Sequence, residues 1–179
     1  MHKRKLDYLM AKIKPNLIGV NSVLDLGCGS GEISRVLIDT GYDVTSVDVI
    51  DKSKVDGLKV IIYDGKELSV FADKKFDLVL LVTVLHHVKD FETVLKEAKR
   101  VGKKVMVIED VYENSWEKFW TMFWDSALNL EFFGHPHSNK SNSEWKEVFN
   151  RLGFDLLAED SGKIKEVFYE FKQKIYILN

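Results

Sequence analysis

Residues 22–31, Ser-Val-Leu-Asp-Leu-Gly-Cys-Gly-Ser-Gly, decide the fold of this 179-residue chain. Their short apolar run predicts a buried strand, which leads directly into a turn with three alternating glycines. Ile33, Val36 and Leu37 then recur at helical spacing. This succession of strand, glycine turn and helix start is typical of the nucleotide-cofactor site of open α/β sheets. The missing Cβ atoms and the free N–H groups of the helix start are both expected to serve a bound ligand.

The spacing of the glycines separates two classes of cofactor. A dinucleotide fingerprint has glycine at relative positions one, three and six. Here Gly27, Gly29 and Gly31 stand at one, three and five, and the sixth position is Glu32. A pyrophosphate would lie between the carboxylates of Glu32 and Asp25, which is electrostatically unfavourable. S-adenosylmethionine (AdoMet) has no phosphate, and its methionine end carries an ammonium and a sulfonium, so the acidic residues favour AdoMet.

Two further acids stand at predicted strand ends. Residues 44–47 predict a second strand that ends at Asp48, about 20 residues after the first glycine, where a carboxylate accepts hydrogen bonds from a ribose diol. NAD shares this feature, so Asp48 indicates an adenosine ligand without choosing between the two cofactors. Residues 58–63 predict a third strand, which is closed by Asp64 and Gly65.

These motifs resemble those of the class I AdoMet-dependent methyltransferases. Within this family they are most similar to the broad group that acts on small molecules (type 11). The resemblance rests on Val-Leu-Asp-Leu-Gly-Cys-Gly-Ser-Gly at 23–31, on Asp48 and Asp64, and on Phe-Asp-Leu-Val-Leu-Leu-Val-Thr-Val-Leu-His-His-Val at 76–88. It covers roughly residues 15–110, and only the strand pattern matches beyond them.

The resemblance implies a Rossmann-like α/β fold and a set of cofactor contacts. The fold would be a seven-stranded, mostly parallel sheet with an antiparallel last strand and helices on both faces. The implied AdoMet-binding positions are Asp25, Gly27, Cys28 and Gly29 for the methionine end, backbone near Val82 for the ammonium group, Asp48 for the ribose, Val49 for the adenine ring, and Asp64 with Gly65 for its amino group.

The order of elements agrees with this fold. Strands and helices alternate from Ser22 to Glu109, which predicts a parallel sheet. Asp90 is expected to cap a helix that ends at Gly102, and Ser141 begins a capping box. A first helix, ending before Pro15, is expected to pack over the cofactor edge. The remaining predicted strands cover residues 78–85, 105–108, 154–158 and 173–178.

The composition predicts one domain over residues 1–179 without a nucleic-acid partner. The net charge is −2, so no excess of basic residues points to a polyanion. No apolar stretch approaches the ~20 residues of a membrane span, and the N-terminus lacks the apolar core of a signal peptide, so a cytoplasmic location is expected. The single cysteine excludes an internal disulfide and an all-cysteine metal site.

Residues 111–142 concentrate aromatic side chains after the fifth predicted strand. Trp116, Trp120 and Phe123 share one helical face, whereas Phe119 and Trp124 are expected elsewhere. We expect an insertion that closes over the methyl group and supplies an apolar acceptor pocket. A contact with a second copy of the chain is the main alternative.

Methyl transfer needs a catalytic side chain only where the acceptor must lose a proton. The candidate bases are His87, just past the fourth strand, and His135 in the aromatic segment, with His86 and His137 as further options. No metal is expected. The weaker alternatives are the pair His135 and His137, and Mg²⁺ bound by Glu109, Asp110 and Asn114.

The sequence favours a small, partly apolar acceptor. Enzymes that methylate the amino groups of nucleic-acid bases typically have Asn or Asp, then two prolines and an aromatic residue, after the fourth strand. Residues 81–84 lack this motif. Cytosine C5 chemistry needs a cysteine there, and the single thiol lies in the glycine turn. Two other functions stay open. One is a binding or assembly subunit without turnover, and the other is an NAD(P)-dependent oxidoreductase.

Overall fold

The computed structural model describes residues 3–129, 139–166 and 169–179. In these ranges the strands are β1 (Ser22–Leu26), β2 (Asp43–Asp48), β3 (Val60–Ile62), β4 (Phe76–Val82), β5 (Gly102–Val111), β6 (Leu156–Glu166) and β7 (Tyr169–Leu178). They form one sheet in the order β3-β2-β1-β4-β5-β7-β6. The first five strands are parallel, and β7 is antiparallel to both of its neighbours. This confirms the predicted sheet with its antiparallel last strand.

Helices cover both faces of the sheet, as predicted. They are α1 (Lys3–Ile13), α2 (Glu32–Asp39), α3 (Phe91–Val101), α4 (Ser115–Asn129) and α5 (Asn142–Arg151), with short 3₁₀ turns at Lys14–Asn16 and Leu85–His87. Apolar side chains of α1 and α2 pack on one face, and those of α3 and α5 pack on the other. In the part of the chain that the structure describes, no helix combines the length and apolar character needed to cross a membrane.

The central strand β4 explains why both faces are covered. Leu78 and Leu80 point into the layer of α1 and α2, whereas Val79 and Leu81 point into the layer of α3 and α5. All four side chains are fully buried, and each contributes roughly 1.5–3 kcal/mol by leaving water. A continuous apolar run of this kind is what a strand buried on both sides requires.

The ligand crevice follows from the strand order. β1 pairs with β2 on one side and with β4 on the other. The connection after β1 runs to β2 on one side, and the connection after β4 runs to β5 on the other side. A crevice therefore opens between them, at the carboxyl ends of β1 and β4. The glycine turn that follows Leu26 lies at this point.

The helix caps follow the sequence. The Asp90 side chain accepts the N–H of Thr93 at the start of α3, whose C-cap is Gly102. Ser141 and Glu144 form the predicted capping box of α5. Because these caps depend on side chains two or three positions away, they could be inferred from local sequence.

Several strand boundaries differ from the prediction. β4 ends at Val82 rather than continuing to residue 85, because Thr83 adopts a left-handed conformation with φ 53° that ends the strand. β6 and β7 are much longer than the predicted 154–158 and 173–178. Their added length is a hairpin in which Lys163 and Glu170 pair at 2.9 Å, and its apolar residues, such as buried Ile164 and Phe171, are too few to mark the strands clearly in the sequence.

Candidate cofactor site

A cavity of about 580 Å³ opens at the carboxyl ends of β1, β2 and β4. Most of the predicted site residues line it, and these are Asp25, Gly27, Cys28, Gly29, Asp48, Val49, Val82 and His87. Two predicted positions do not line it. The exposed Asp64 carboxylate instead accepts the N–H groups of Lys66 and Glu67, and Gly65 lies beside Val49. Tyr63, which directly follows β3 and precedes Asp64, lines the cavity instead.

Only one of the three turn glycines faces open space. A Cβ on Gly27 would lie 2.5 Å from the Val84 side chain, and one on Gly31 would lie 2.3 Å from Leu58. A Cβ on Gly29 would meet no protein atom within 4 Å. Gly27 lines the cavity, but its missing Cβ also leaves room for Val84, and the missing Cβ of Gly31 leaves room for Leu58. The role of the glycines in binding a ligand stays a prediction, and the open space at Gly29 agrees with it.

The N–H groups of the turn are used within the protein. Those of Gly27 and Cys28 donate to the Val47 carbonyl oxygen at 2.8 and 3.1 Å. The N–H of Gly29 donates to Asp48 Oδ2 at 2.8 Å. A pyrophosphate would need donors pointing outward, and these three N–H groups do not offer them.

Asp48 shapes the turn and faces the cavity. Its two carboxylate oxygens accept the N–H groups of Gly29 and Val49, at 2.8 and 2.7 Å. A carboxylate has about four lone-pair sites, so acceptor capacity remains for the hydroxyls of a ribose. The predicted position of Asp48 at the end of β2 is confirmed.

Asp25 places a buried carboxylate beneath the turn. The Ser34 hydroxyl donates to Asp25 Oδ2 at 2.6 Å, and the Ser46 hydroxyl donates to Ser34 Oγ at 2.8 Å. Burial raises the pKa of Asp25 to about 6. A cation in the cavity would offset the cost of this buried negative charge. This acidic environment therefore fits the positively charged ammonium and sulfonium groups of AdoMet.

The protonation of Asp25 should be visible in the stability of the protein. Because the folded-state pKa lies above the usual value of 3.8, the folded chain binds more protons between about pH 4 and 6. The Asp25 contribution to stability is thus lost as the pH rises through that window. We expect the unfolding free energy of Asp25→Asn, relative to wild type, to rise by roughly 1–3 kcal/mol from pH 4 to pH 7.

Urea unfolding at several pH values measures this difference. Asp39→Asn, which alters an exposed carboxylate at the end of α2, is the matched control and should show a flat profile. A flat profile for Asp25→Asn would mean that this carboxyl titrates normally.

Cys28 is not a nucleophile in this site. Burial and the nearby carboxylates of Asp25 and Asp48 raise the pKa of its thiol to about 12, so the sulfur stays protonated at neutral pH. Cys28 therefore fills the turn.

The comparisons with known proteins agree with this geometry. A family model described as "Methyltransferase domain" matches residues 24–105. Residues 24–105 thus carry the sequence pattern of a methyltransferase domain. It is 30% identical over 99 residues to the ubiquinone biosynthesis O-methyltransferase of Rickettsia prowazekii, a match that covers 49% of this chain and 39% of that protein. The chain spans less than half the length of the curated relatives that it matches.

Solved structures share the fold over nearly the whole chain. A SAM-dependent methyltransferase from Archaeoglobus fulgidus has a TM-score of 0.76 at 16% identity, covering 99% of this chain and 94% of its own. The magnesium protoporphyrin IX methyltransferase of Synechocystis, crystallised with bound SAH, has a TM-score of 0.68 at 17% identity, covering 99% and 82%. At these identities the likeness establishes the fold alone.

The loop after β4 forms one wall of the cavity. Thr83, Val84, His87 and Val88 line the cavity together with Val82. His86 points away from it into the core, where its Nδ1 lies 2.6 Å from Glu109 Oε2. Of the two adjacent histidines, only His87 is thus placed to meet a ligand. His135 and His137 lie outside the described residues.

The proposed Mg²⁺ ligands do not form a cluster. Glu109 accepts the backbone N–H groups of Val84 and Leu85, and Asp110 Oδ1 accepts from the Gln173 side chain. Asn114 instead accepts the N–H of Glu117 near the start of α4. Across the described ranges, no three side chains of His, Cys, Asp or Glu are grouped for a metal.

Sequence reasoning missed several residues of the cavity wall. Lys5, Lys52 and Tyr63 line it, as do Leu9 and Ile50. The position of α1 over the cavity, expected from its apolar face, agrees with the contributions of Lys5 and Leu9. The loop after β2 carries no comparable pattern, so nothing in the sequence pointed to Lys52.

The aromatic residues of α4 do not reach the cavity. Trp116, Phe119 and Phe123 are 70%, 57% and 43% exposed, and none of the described side chains of α4 lines the cavity. Phe119 contacts the rings of Trp116, Trp120 and Phe123, so the expectation that it lies apart from them is wrong. Phe132 and Phe133 lie outside the described residues.

Proposed function

We propose that this chain transfers the methyl group of AdoMet to a small, partly apolar acceptor. The observation that carries the proposal is the arrangement of two carboxylates, buried Asp25 and cavity-facing Asp48, around the open space at Gly29. This arrangement suits a cationic, phosphate-free adenosine compound. The match of residues 24–105 to the methyltransferase domain supports it independently.

The cofactor contacts are part of the proposal. Asp48 would bind the ribose hydroxyls, and the turn with Asp25, Cys28 and Gly29 would hold the methionine end. Val49 would lie against the adenine ring, with Asp64 and Gly65 near its amino group and the Val82 backbone at the ammonium group. Bound AdoMet supplies a methyl carbon activated by the adjacent positive sulfur. The chain aligns the acceptor and excludes water, which can contribute roughly 7–11 kcal/mol.

His87 is the residue that we propose accepts a proton from the acceptor. It lines the cavity in the wall formed by the loop after β4, and imidazole titrates near neutral pH. A relative at 30% identity is named an O-methyltransferase, which makes a hydroxyl group the acceptor that we propose. A hydroxyl must lose its proton, so a base in the cavity is useful to that reaction. His135 stays a prediction.

The segment 111–142 is proposed to supply an apolar surface on the acceptor side. β5 ends at this segment, and three large rings of α4 are exposed. Those exposed rings also favour the second candidate, a subunit that docks on a partner or on another copy of this chain. Sedimentation of wild type and Trp116→Ala distinguishes the two, because only a docking role predicts a change in assembly. The cytoplasmic location is likewise a prediction, which cell fractionation tests.

Ligand-dependent thermal stability tests the cofactor class. S-adenosylhomocysteine (SAH) at about 100 times its Kd should stabilise the folded chain by about 2.7 kcal/mol, whereas NAD and NADP should leave the melting temperature unchanged. The measurement is a thermal melt with each ligand, followed by transfer of labelled methyl from AdoMet to a panel of small hydroxyl compounds.

The two steps separate the candidate functions. Stabilisation by NAD(P) and none by SAH would replace the methyltransferase with the oxidoreductase. Stabilisation by SAH without transfer to any compound in the panel would favour the binding subunit.

A further inference from the structure

Glu109 is a buried carboxylate that the proposed reaction does not yet use. It lies at the end of β5, with its side chain fully buried and three donors within hydrogen-bond distance. Oε1 accepts the N–H groups of Val84 and Leu85 at 2.9 and 2.7 Å. Oε2 lies 2.6 Å from Nδ1 of His86. We infer that Glu109 is a positioning residue, which holds the loop after β4 and fixes the tautomer of His86 beneath His87.

The first part of this role is mechanical. The Thr83 N–H donates to the Ile108 carbonyl at 2.7 Å, and the next two N–H groups of the loop donate to Glu109. The Val84 side chain, held in this way, packs where a Cβ on Gly27 would stand. Glu109 therefore sets the distance between two walls of the cavity, the loop and the glycine turn.

The second part concerns the imidazole rings. In this proposal Glu109 acts as the acceptor through both oxygens, so that Nδ1 of His86 carries the hydrogen and donates it to Oε2. The ring of His86 lies 3.9 Å from the ring of His87, centroid to centroid, with 45° between their planes. A fixed tautomer of the buried ring gives His87 one orientation and one electrostatic environment.

The loop alone does not explain why a carboxylate is present. A glutamine at 109 could accept the same two backbone N–H groups through its Oε1, without the cost of burying a charge. Its amide nitrogen would then face His86 and donate to Nδ1, which reverses the tautomer. The carboxylate is thus needed for the imidazole. This inference rests on the proposed role of His87 in proton transfer.

Glu109→Gln separates the two parts. We expect the affinity for SAH, measured by calorimetry, to stay within about threefold of wild type, because the loop remains held. ¹⁵N NMR of the histidine rings should show His86 changing from the Nδ1–H to the Nε2–H tautomer. For a hydroxyl acceptor, kcat should fall ten- to hundredfold with little change in KM, as is typical when a partner that orients a functional histidine is lost.

Glu97→Gln is the matched control. Glu97 also accepts a backbone N–H, that of Leu68, and pairs with Arg100, but it does not line the cavity. This variant should change neither the His86 tautomer nor kcat. His86 retaining Nδ1–H in Glu109→Gln, or an unchanged kcat beside an altered tautomer, would overturn the inference. The NMR and calorimetry readouts need no turnover, so they stand even if the chain proves to methylate no compound tested.

Discussion

Asp48→Ala is expected to weaken the binding of AdoMet by about 1.5–3 kcal/mol, roughly ten- to hundredfold. Two contributions add. The variant removes the charged acceptor proposed for the ribose hydroxyls, and it leaves the N–H of Gly29 without the carboxylate that orients it. Isothermal calorimetry with AdoMet and SAH should show a similar loss for both, because the ribose is common to them.

Asp43→Ala is the control for Asp48→Ala. Asp43 is exposed and stands at the opposite end of the same strand, away from the cavity. Its removal should leave the affinity unchanged. An equal affinity of Asp48→Ala and wild type would remove the basis for placing the adenosine at this rim.

Gly27→Ala is expected mainly to lower the stability of the fold, whereas Gly29→Ala is expected mainly to lower the affinity for the cofactor. Both positions have positive φ, 82° and 51°, so each alanine costs roughly 1 kcal/mol in backbone strain. At Gly27 the new methyl group would also lie 2.5 Å from Val84, which adds roughly 1–3 kcal/mol of overpacking. At Gly29 no protein atom is near, and the methyl group would instead occupy space proposed for the cofactor.

Urea unfolding and SAH calorimetry on the same two variants distinguish these effects. Gly27→Ala should show the larger loss of stability, about 2–4 kcal/mol in total. Gly29→Ala should show the larger loss of affinity relative to its loss of stability. Equal behaviour of the two variants would contradict the assignment of the Gly27 space to Val84 and of the Gly29 space to the ligand.

Local patterns explain which features could be predicted from the sequence. β1, its glycine turn and α2 follow one another directly in the sequence, so a local pattern predicts them. The caps at Asp90 and at Ser141 are also local, because each involves a partner three residues later. Asp48 was predictable because a strand end in a parallel sheet fixes where its side chain emerges.

Other features depend on contacts between distant parts of the chain. The reason for glycine at 27 is the side chain of Val84, and the partners of Glu109 are backbone atoms about 25 residues away. Neither contact leaves a periodic signal. The length of the β6–β7 hairpin is hard to predict for a related reason, because β7 pairs with β5, a distant part of the chain, and the sequence near Lys163 is mostly charged or polar.

The position of β7 inside the sheet has a consequence for synthesis on the ribosome. β7 separates β5 from β6, although it follows both of them in the chain. Until Tyr169–Leu178 has emerged, the nascent chain exposes the unpaired edge of β5, whose apolar residues can pair with another polypeptide. This edge of β5 therefore stays open to wrong pairing from the synthesis of β5 until β7 arrives.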